Sequence, residues 1–122
     1  MWSYRIPTGL ISENGVPRHE VSYSGFGPGL NNASACTEHG VGPIPPGTYR
    51  IGPGYDDPDG LGVLVMHLDP LPGTNTFQRA LFRIHGDNSK QDHSASRGCI
   101  VAPHSLRLAI DASRDRILEV IA

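Results

Sequence analysis

Glycine and proline recur along the whole chain and leave little room for a long helix. The 122 residues include 15 Gly and 11 Pro, and both residue types favour turns and interrupt helices. Short apolar runs lie between these interruptions, at residues 48–51, 61–68, 80–85 and 117–121. The sequence therefore predicts a mainly β fold, and we expect residues 1–122 to form one domain.

Turn signals divide the first half of the chain into short strands. Asn14-Gly15 lies between two short runs and is typical of a tight hairpin turn. Residues 20–24 are predicted to form a strand. The segment 25–39 is rich in Gly, Asn and Ser and is longer than a compact domain usually carries without a purpose. We expect this loop either to line a substrate site or to be purely structural.

One segment near the C-terminus has helical periodicity. Leu106, Ala109 and Ile110 fall on one face of a helix. Pro103 precedes them, and proline is tolerated in the first turn of a helix. We therefore expect one short helix directly after the strand that follows Cys99.

The charge balance argues against two classes of partner. The chain has 10 Lys+Arg and 12 Asp+Glu, a formal net charge of −2, whereas a nucleic-acid or anionic-membrane binder shows a basic excess. No apolar stretch reaches membrane-spanning length, and no secretory signal is visible at the N-terminus. We expect a monomer made in the cytoplasm, with neither nucleic acid nor a membrane as its partner. If it acts elsewhere, a route other than general secretion carries it.

A histidine ends one apolar run and a cysteine begins another. These residues are His85 and Cys99, and two strands joined by the intervening loop would bring them together. A cysteine nucleophile attacks as the thiolate and needs a nearby base to take its proton. Arg97 next to the thiol would favour the thiolate, and the Gly98 and Cys99 backbone N–H groups would form an oxyanion hole. The pattern predicts nucleophilic catalysis by Cys99 with His85 as the base.

The sequence is also compatible with other roles for these residues. Cys99 would otherwise be a small buried hydrophobe, or pair with Cys36 in a disulfide. His93 is a second candidate base, and Asp87 is a candidate to orient His85. The six histidines and two cysteines show no metal-ligand spacing. We therefore predict no metal and no cofactor.

The same residues resemble a known active-site signature. His85-Gly86 followed by 96–100 is similar to the H-G, spacer, S/T-H-G-C pattern of the YkuD-like L,D-transpeptidases, with Arg97 in place of the second histidine. More of the chain resembles the DUF2778 family of type VI secretion L,D-transpeptidase effectors. The matching pieces, in the same order, are Tyr23-Ser24-Gly25-x-Gly27, Asn31-Asn32, Gly42-Pro43-Ile44-Pro45-x-Gly47-x-Tyr49, Arg83-Ile84-His85-Gly86-Asp87 and Ser96-x-Gly98-Cys99-Ile100-Val101.

The resemblance implies a compact β-sandwich or barrel and a role for individual residues. The catalytic set is Cys99 as nucleophile, His85 as base, Gly98 in the oxyanion hole, and Asp87. The residues expected to contact substrate are Arg97, Ser96, Tyr23 and Asn32.

The implied substrate is the tetrapeptide stem of peptidoglycan, attacked at its terminal L–D bond. The acyl-enzyme would then pass to water, to a free D-amino acid or to a neighbouring stem. The implied setting is type VI delivery to the periplasm of a target cell, with a cognate immunity protein as partner. Two other functions remain: a cysteine peptidase or amidase that cleaves a different wall bond, and a wall-binding module in which Cys99 is structural.

Overall fold

The computed structural model describes all 122 residues. Its elements, in chain order, are β1 Trp2–Arg5, β2 Leu10–Glu13, β3 Val16–Val21, β4 Tyr23–Ser24, β5 Gly47–Ile51, β6 Tyr55–Asp57, β7 Gly62–Pro70, β8 Arg83–His85, β9 Ile100–Val101, α1 His104–Ala112 and β10 Ile117–Ile121. Two 3-10 turns cover Gly27–Gly29 and Ala33–Ala35. The predicted mainly β fold is confirmed, as is the single short helix after the Cys99 strand.

The strands form one mixed sheet. Their order is β3-β2-β1-β10-β5-β7-β8-β9-β4, and β6 pairs with β7 outside this path. Most neighbours are antiparallel, whereas β1 with β10 and β8 with β9 are parallel. The parallel pairing of β8 with β9 brings the end of the His85 strand beside the start of the strand that follows Cys99.

A continuous apolar core stabilises the sheet and the helix. Trp2 and Tyr4 are buried on one face of β1. Alternate residues of the neighbouring strands are buried on the same side and complete the apolar core. Leu106 and Ile110 of α1 are fully buried against it. The whole cluster comprises Trp2, Tyr4, Ile6, Ile11, Ile44, Tyr49, Ile51, Met66, Leu68, Phe82, Ile84, Ile100, Ala102, Leu106, Ile110, Leu118 and Val120.

The local turn predictions largely hold. Asn14 and Gly15 both have positive φ, 50° and 82°, and connect β2 to β3 as the hairpin turn requires. The predicted strand over residues 20–24 is broken at Ser22 into the end of β3 and β4. Of the predicted strand 80–85, only Arg83–His85 is a strand, because Leu81 has a positive φ of 65°. Strand β6, Tyr55–Asp57, lies outside the apolar runs of the sequence. No helix is long and apolar enough to cross a bilayer.

Candidate active site

His85 is the last residue of β8, and its ring is buried. Its Nδ1 atom lies 2.7 Å from the carbonyl oxygen of Gly86. A carbonyl oxygen only accepts, so Nδ1 carries the proton and donates it to this hydrogen bond. The other ring nitrogen, Nε2, then has a free lone pair, as a general base requires.

Cys99 lies one residue before β9, on the same face of the sheet as His85. The parallel register pairs Ile84 with Ile100 and His85 with Val101, and successive side chains of a strand alternate between faces. His85 and Cys99 both line one cavity of about 470 Å³. In this structure the thiol donates to the Leu81 carbonyl oxygen, with the sulfur 3.7 Å away, rather than to His85. The structure thus brings the predicted nucleophile and the predicted base to one cavity without a direct hydrogen bond between them.

The environment of His85 favours its neutral form. Burial lowers the pKa of the imidazole below its usual value, and the charges of Arg83 and Arg107 lower it further. The Gly86 carbonyl opposes this shift because it stabilises a protonated ring. His85 is therefore neutral, and able to accept a proton, at neutral pH.

The environment of Cys99 also favours the neutral form of its side chain, the thiol. Burial raises the pKa of the thiol. The backbone N–H and the side chain of Arg83 lower the pKa of the thiol and so oppose this rise. The charge of Arg79 also lowers it. The resting cysteine is a thiol, so its proton has to leave as part of any reaction.

Ser96 and Gly98 organise the turn before Cys99. The Ser96 hydroxyl is fully buried, accepts from the N–H groups of Gly25 at 2.9 Å and Gly98 at 3.1 Å, and donates to the Cys99 carbonyl at 2.7 Å. These contacts correct two predictions. Ser96 has no free group for a substrate, and the Gly98 N–H is already paired, so it is not an oxyanion donor. The Cys99 N–H has no backbone acceptor, so it stays the predicted oxyanion donor.

Gly98 has a steric reason to be glycine. Its φ is +132°, a conformation that side chains rarely adopt. A Cβ at this position would also lie 2.5 Å from Nη2 of Arg79. The residue permits the turn and the close approach of Arg79.

Asp87 does not orient His85. Its carboxylate accepts from the Tyr23 hydroxyl at 2.8 Å and from the Asn88 N–H at 2.9 Å. The Gly86 carbonyl takes the orienting position predicted for Asp87. Asp87 instead ties the loop after His85 to β4, through Tyr23.

Tyr23 and His93 lie together, outside the Cys99 cavity. Their rings are 4.8 Å apart in an edge-to-face contact. Both line a second cavity of about 400 Å³. His93 therefore does not share a cavity with the thiol, and a substrate contact by Tyr23 would lie in the second cavity.

The two remaining predicted substrate residues differ in position. Arg97 is exposed on the wall of the Cys99 cavity, with its guanidinium carbon 4.7 Å from the centre of the Phe26 ring. Asn32 caps a 3-10 turn, accepting from Ser34 at 3.1 Å and donating to Pro28 at 3.1 Å. Asn32 lines neither cavity, and its contact with substrate stays a prediction.

Arg79 is a buried residue of the cavity that sequence analysis missed. It donates to four backbone carbonyl groups, those of Cys36, Gly42, Pro43 and Arg97, at 2.6–3.3 Å. It has no carboxylate partner, so it brings an uncompensated positive charge close to Cys99. It also fixes the loop 36–43 against the turn before Cys99.

Arg107 of α1 is a second buried arginine that sequence analysis missed. It is buried and donates to the carbonyl groups of Ala102, Val63 and Leu64. A Cβ on Gly86 would lie 2.7 Å from its Nη2 atom. Arg107 therefore packs directly behind the residue whose carbonyl orients His85.

Three arginines give the cavity an excess of positive charge. Its lining includes Arg79, Arg83, Arg97 and His39 together with His85, and it contains no Asp or Glu.

Cys36 and Cys99 are both free thiols. No group of three or more His, Cys, Asp or Glu residues is placed to hold a metal ion.

Fold and site together define a mainly β domain with a cysteine–histidine pair in one basic cavity. The family model of the Tlde1 domain matches residues 19–117, which include both residues of this pair. The chain therefore belongs to the Tlde1 domain family, and Tlde1 is a type VI secretion effector domain. No curated protein and no solved structure matches the chain. The effector part of the predicted resemblance is thus confirmed, whereas the L,D-transpeptidase part stays a prediction.

Proposed function

We propose that this domain is a cysteine acyltransferase that acts on the terminal L–D bond of peptidoglycan tetrapeptide stems. The observation that carries the proposal is the placement of Cys99 and His85 on one cavity, with Nδ1 of His85 bonded to the Gly86 carbonyl. That bond leaves Nε2 as the base, and burial keeps the ring neutral. The resemblance of the sequence around these residues supplies the bond that is attacked.

The first half of the reaction forms a thioester. Rotation of the Cys99 side chain away from the Leu81 carbonyl directs its sulfur towards Nε2 of His85, which takes the thiol proton. The thiolate attacks the carbonyl carbon of the third stem residue, and the Cys99 N–H stabilises the resulting oxyanion. The C–N bond to D-alanine then breaks, and His85 returns its proton to the departing amine.

The second half consumes the thioester. Water, a free D-amino acid or the side-chain amine of a neighbouring stem attacks the same carbonyl carbon, with His85 again as the base. Water gives a tripeptide stem, a D-amino acid restores a fourth residue, and a stem amine gives a cross-link. In each case the sulfur leaves as the thiolate and regains the proton that His85 holds.

The family supports a setting for this activity. As a type VI effector domain, the chain would reach the periplasm of a target cell, where stems are accessible. A producing cell would need protection, so a cognate immunity protein is the expected partner. We propose that it blocks the cavity that contains Cys99.

Digestion of purified muropeptides, followed by mass spectrometry, tests the proposal. We expect the wild-type domain to release D-alanine from a disaccharide tetrapeptide and to leave a tripeptide. Cys99→Ala should release none, whereas Cys36→Ala, which removes the other free thiol, should be active. Release of an intact peptide from the sugar would instead identify an amidase. Binding to peptidoglycan without any product, by wild type and Cys99→Ala alike, would identify a wall-binding module.

A further inference from the structure

Arg83 differs from the other two arginines of the Cys99 cavity. Arg79 donates to four carbonyl groups, and Arg97 donates to the Gly40 carbonyl and stacks on Phe26. The Nε atom of Arg83 is buried and has no hydrogen-bond partner, and no ion pair includes Arg83. A buried guanidinium N–H without a hydrogen-bond acceptor destabilises the protein unless a ligand supplies the acceptor.

The position of Arg83 places its side chain next to the Cys99 thiol. Arg83 and Cys99 each precede the registered pair Ile84 and Ile100, so they lie at matching positions of adjacent parallel strands. Both side chains line the same cavity. The Arg83 side chain is close enough to the sulfur to stabilise the thiolate. A ligand group that accepts hydrogen bonds from the Arg83 guanidinium would therefore lie next to the carbonyl carbon that Cys99 attacks.

The chemistry of the cavity indicates what that group is. The lining has several cationic side chains and no carboxylate, which selects for an anion. A planar guanidinium fork pairs best with a carboxylate or a phosphate. In a tetrapeptide stem, the carbon that bears the terminal carboxylate is bonded to the amide nitrogen that Cys99 would release. The stem thus presents a carboxylate close to the scissile bond.

We propose that the Arg83 guanidinium binds the free terminal carboxylate of the residue that Cys99 releases. This inference rests on the proposed function and extends it to substrate choice. It makes the domain an exopeptidase-type enzyme that requires the scissile bond to be the last of the stem. A pentapeptide stem, in which that carboxyl is part of another amide, is then a poor substrate.

The experiment compares two tetrapeptide stems that differ only at the C-terminus, one with a free acid and one with a carboxamide. We expect the wild type to cleave the acid with a kcat/KM about 10- to 100-fold higher, as for loss of one charge-assisted pair. Arg83→Gln should bring that ratio close to one, because it should slow cleavage of the acid far more than cleavage of the carboxamide. Arg83→Lys, which retains the charge without the fork, should be intermediate. Arg50→Gln is the matched control, because Arg50 is an exposed strand arginine outside the cavity.

A binding measurement separates substrate recognition from activation of the thiol. In the Cys99→Ala background, calorimetry should show tighter binding of the acid than of the amide, and Arg83→Gln should abolish the difference. Equal cleavage of acid and amide by the wild type would overturn the role of Arg83 and leave the proposed function intact. An equal loss on both substrates in Arg83→Gln would also overturn it. Cleavage of neither substrate by a folded wild type would overturn the proposed function, and this inference with it.

Discussion

The Nδ1 atom of His85 is 2.7 Å from the carbonyl oxygen of the next residue, Gly86. A backbone acceptor fixes the tautomer without adding a negative charge beside the ring. Burial has the largest effect on the pKa of the ring and lowers it, whereas the Asp87 carboxylate, which raises this pKa, has a smaller effect. Packing of Arg107 against Gly86 holds the acceptor in place.

The pH dependence of activity follows from this arrangement. His85 acts as a base only when it is neutral, so kcat/KM should rise with pH through the pKa of the ring. Because that pKa is lowered, the midpoint of the acid limb should lie below the usual value of about 6.5 for histidine. Initial rates of D-alanine release, measured from about pH 4 to about pH 8, check this. A midpoint above the usual value would contradict the role of burial.

Loss of His85 should be far more damaging than loss of His93. We expect His85→Ala to lower kcat by about 10²- to 10⁴-fold, the usual contribution of a positioned base. His93→Ala is the matched control, because His93 packs against Tyr23 at the second cavity. Steady-state kinetics on a tetrapeptide stem measure both. An inactive His93→Ala beside an active His85→Ala would show that the base is wrongly assigned.

Ser96→Ala should destabilise the domain. The substitution leaves the buried N–H groups of Gly25 and Gly98 and the carbonyl of Cys99 without their partner. We expect the free energy of unfolding to fall by about 2–3 kcal/mol. Urea denaturation followed by circular dichroism checks this value. Ser89→Ala, at an exposed position, should change it by less than about 0.5 kcal/mol.

Parts of the structure that depend on neighbouring residues were predictable from the sequence. Asn14-Gly15 specifies its own turn, and the spacing of Leu106 and Ile110 specifies the buried face of α1. The placement of His85 and Cys99 on one cavity was also expected, because each flanks a short apolar run. In each case the residues that indicate the feature are within a few positions of it in the sequence.

The hydrogen-bond network around the cavity was not predictable in the same way. Arg79 is bonded to carbonyl groups 18 to 43 residues away, and backbone carbonyls carry no sequence signature. Ser96 was expected to face substrate because it lies beside the nucleophile. Its hydroxyl instead binds Gly25, 71 residues away. Only the packing of the loop 25–43 against the Cys99 turn reveals these roles.

Toxicity should depend on the compartment that the domain occupies. If peptidoglycan stems are the substrate, the domain can damage only a cell in which it reaches the periplasm. Expression in the bacterial cytosol should therefore be nearly harmless, whereas the same chain fused to a periplasmic signal sequence should cause swelling and lysis. Phase-contrast microscopy and viable counts after induction measure the effect.

The matched control for toxicity is an exported Cys99→Ala variant, since Cys and Ala differ little in volume and the fold should be kept. This variant should be harmless at equal periplasmic abundance, which immunoblotting checks. Exported Cys36→Ala should kill as the wild type does, because Cys36 does not line the cavity. Strong killing by the cytosolic wild type would indicate an intracellular target. Killing by exported Cys99→Ala would show that toxicity does not require the thiol.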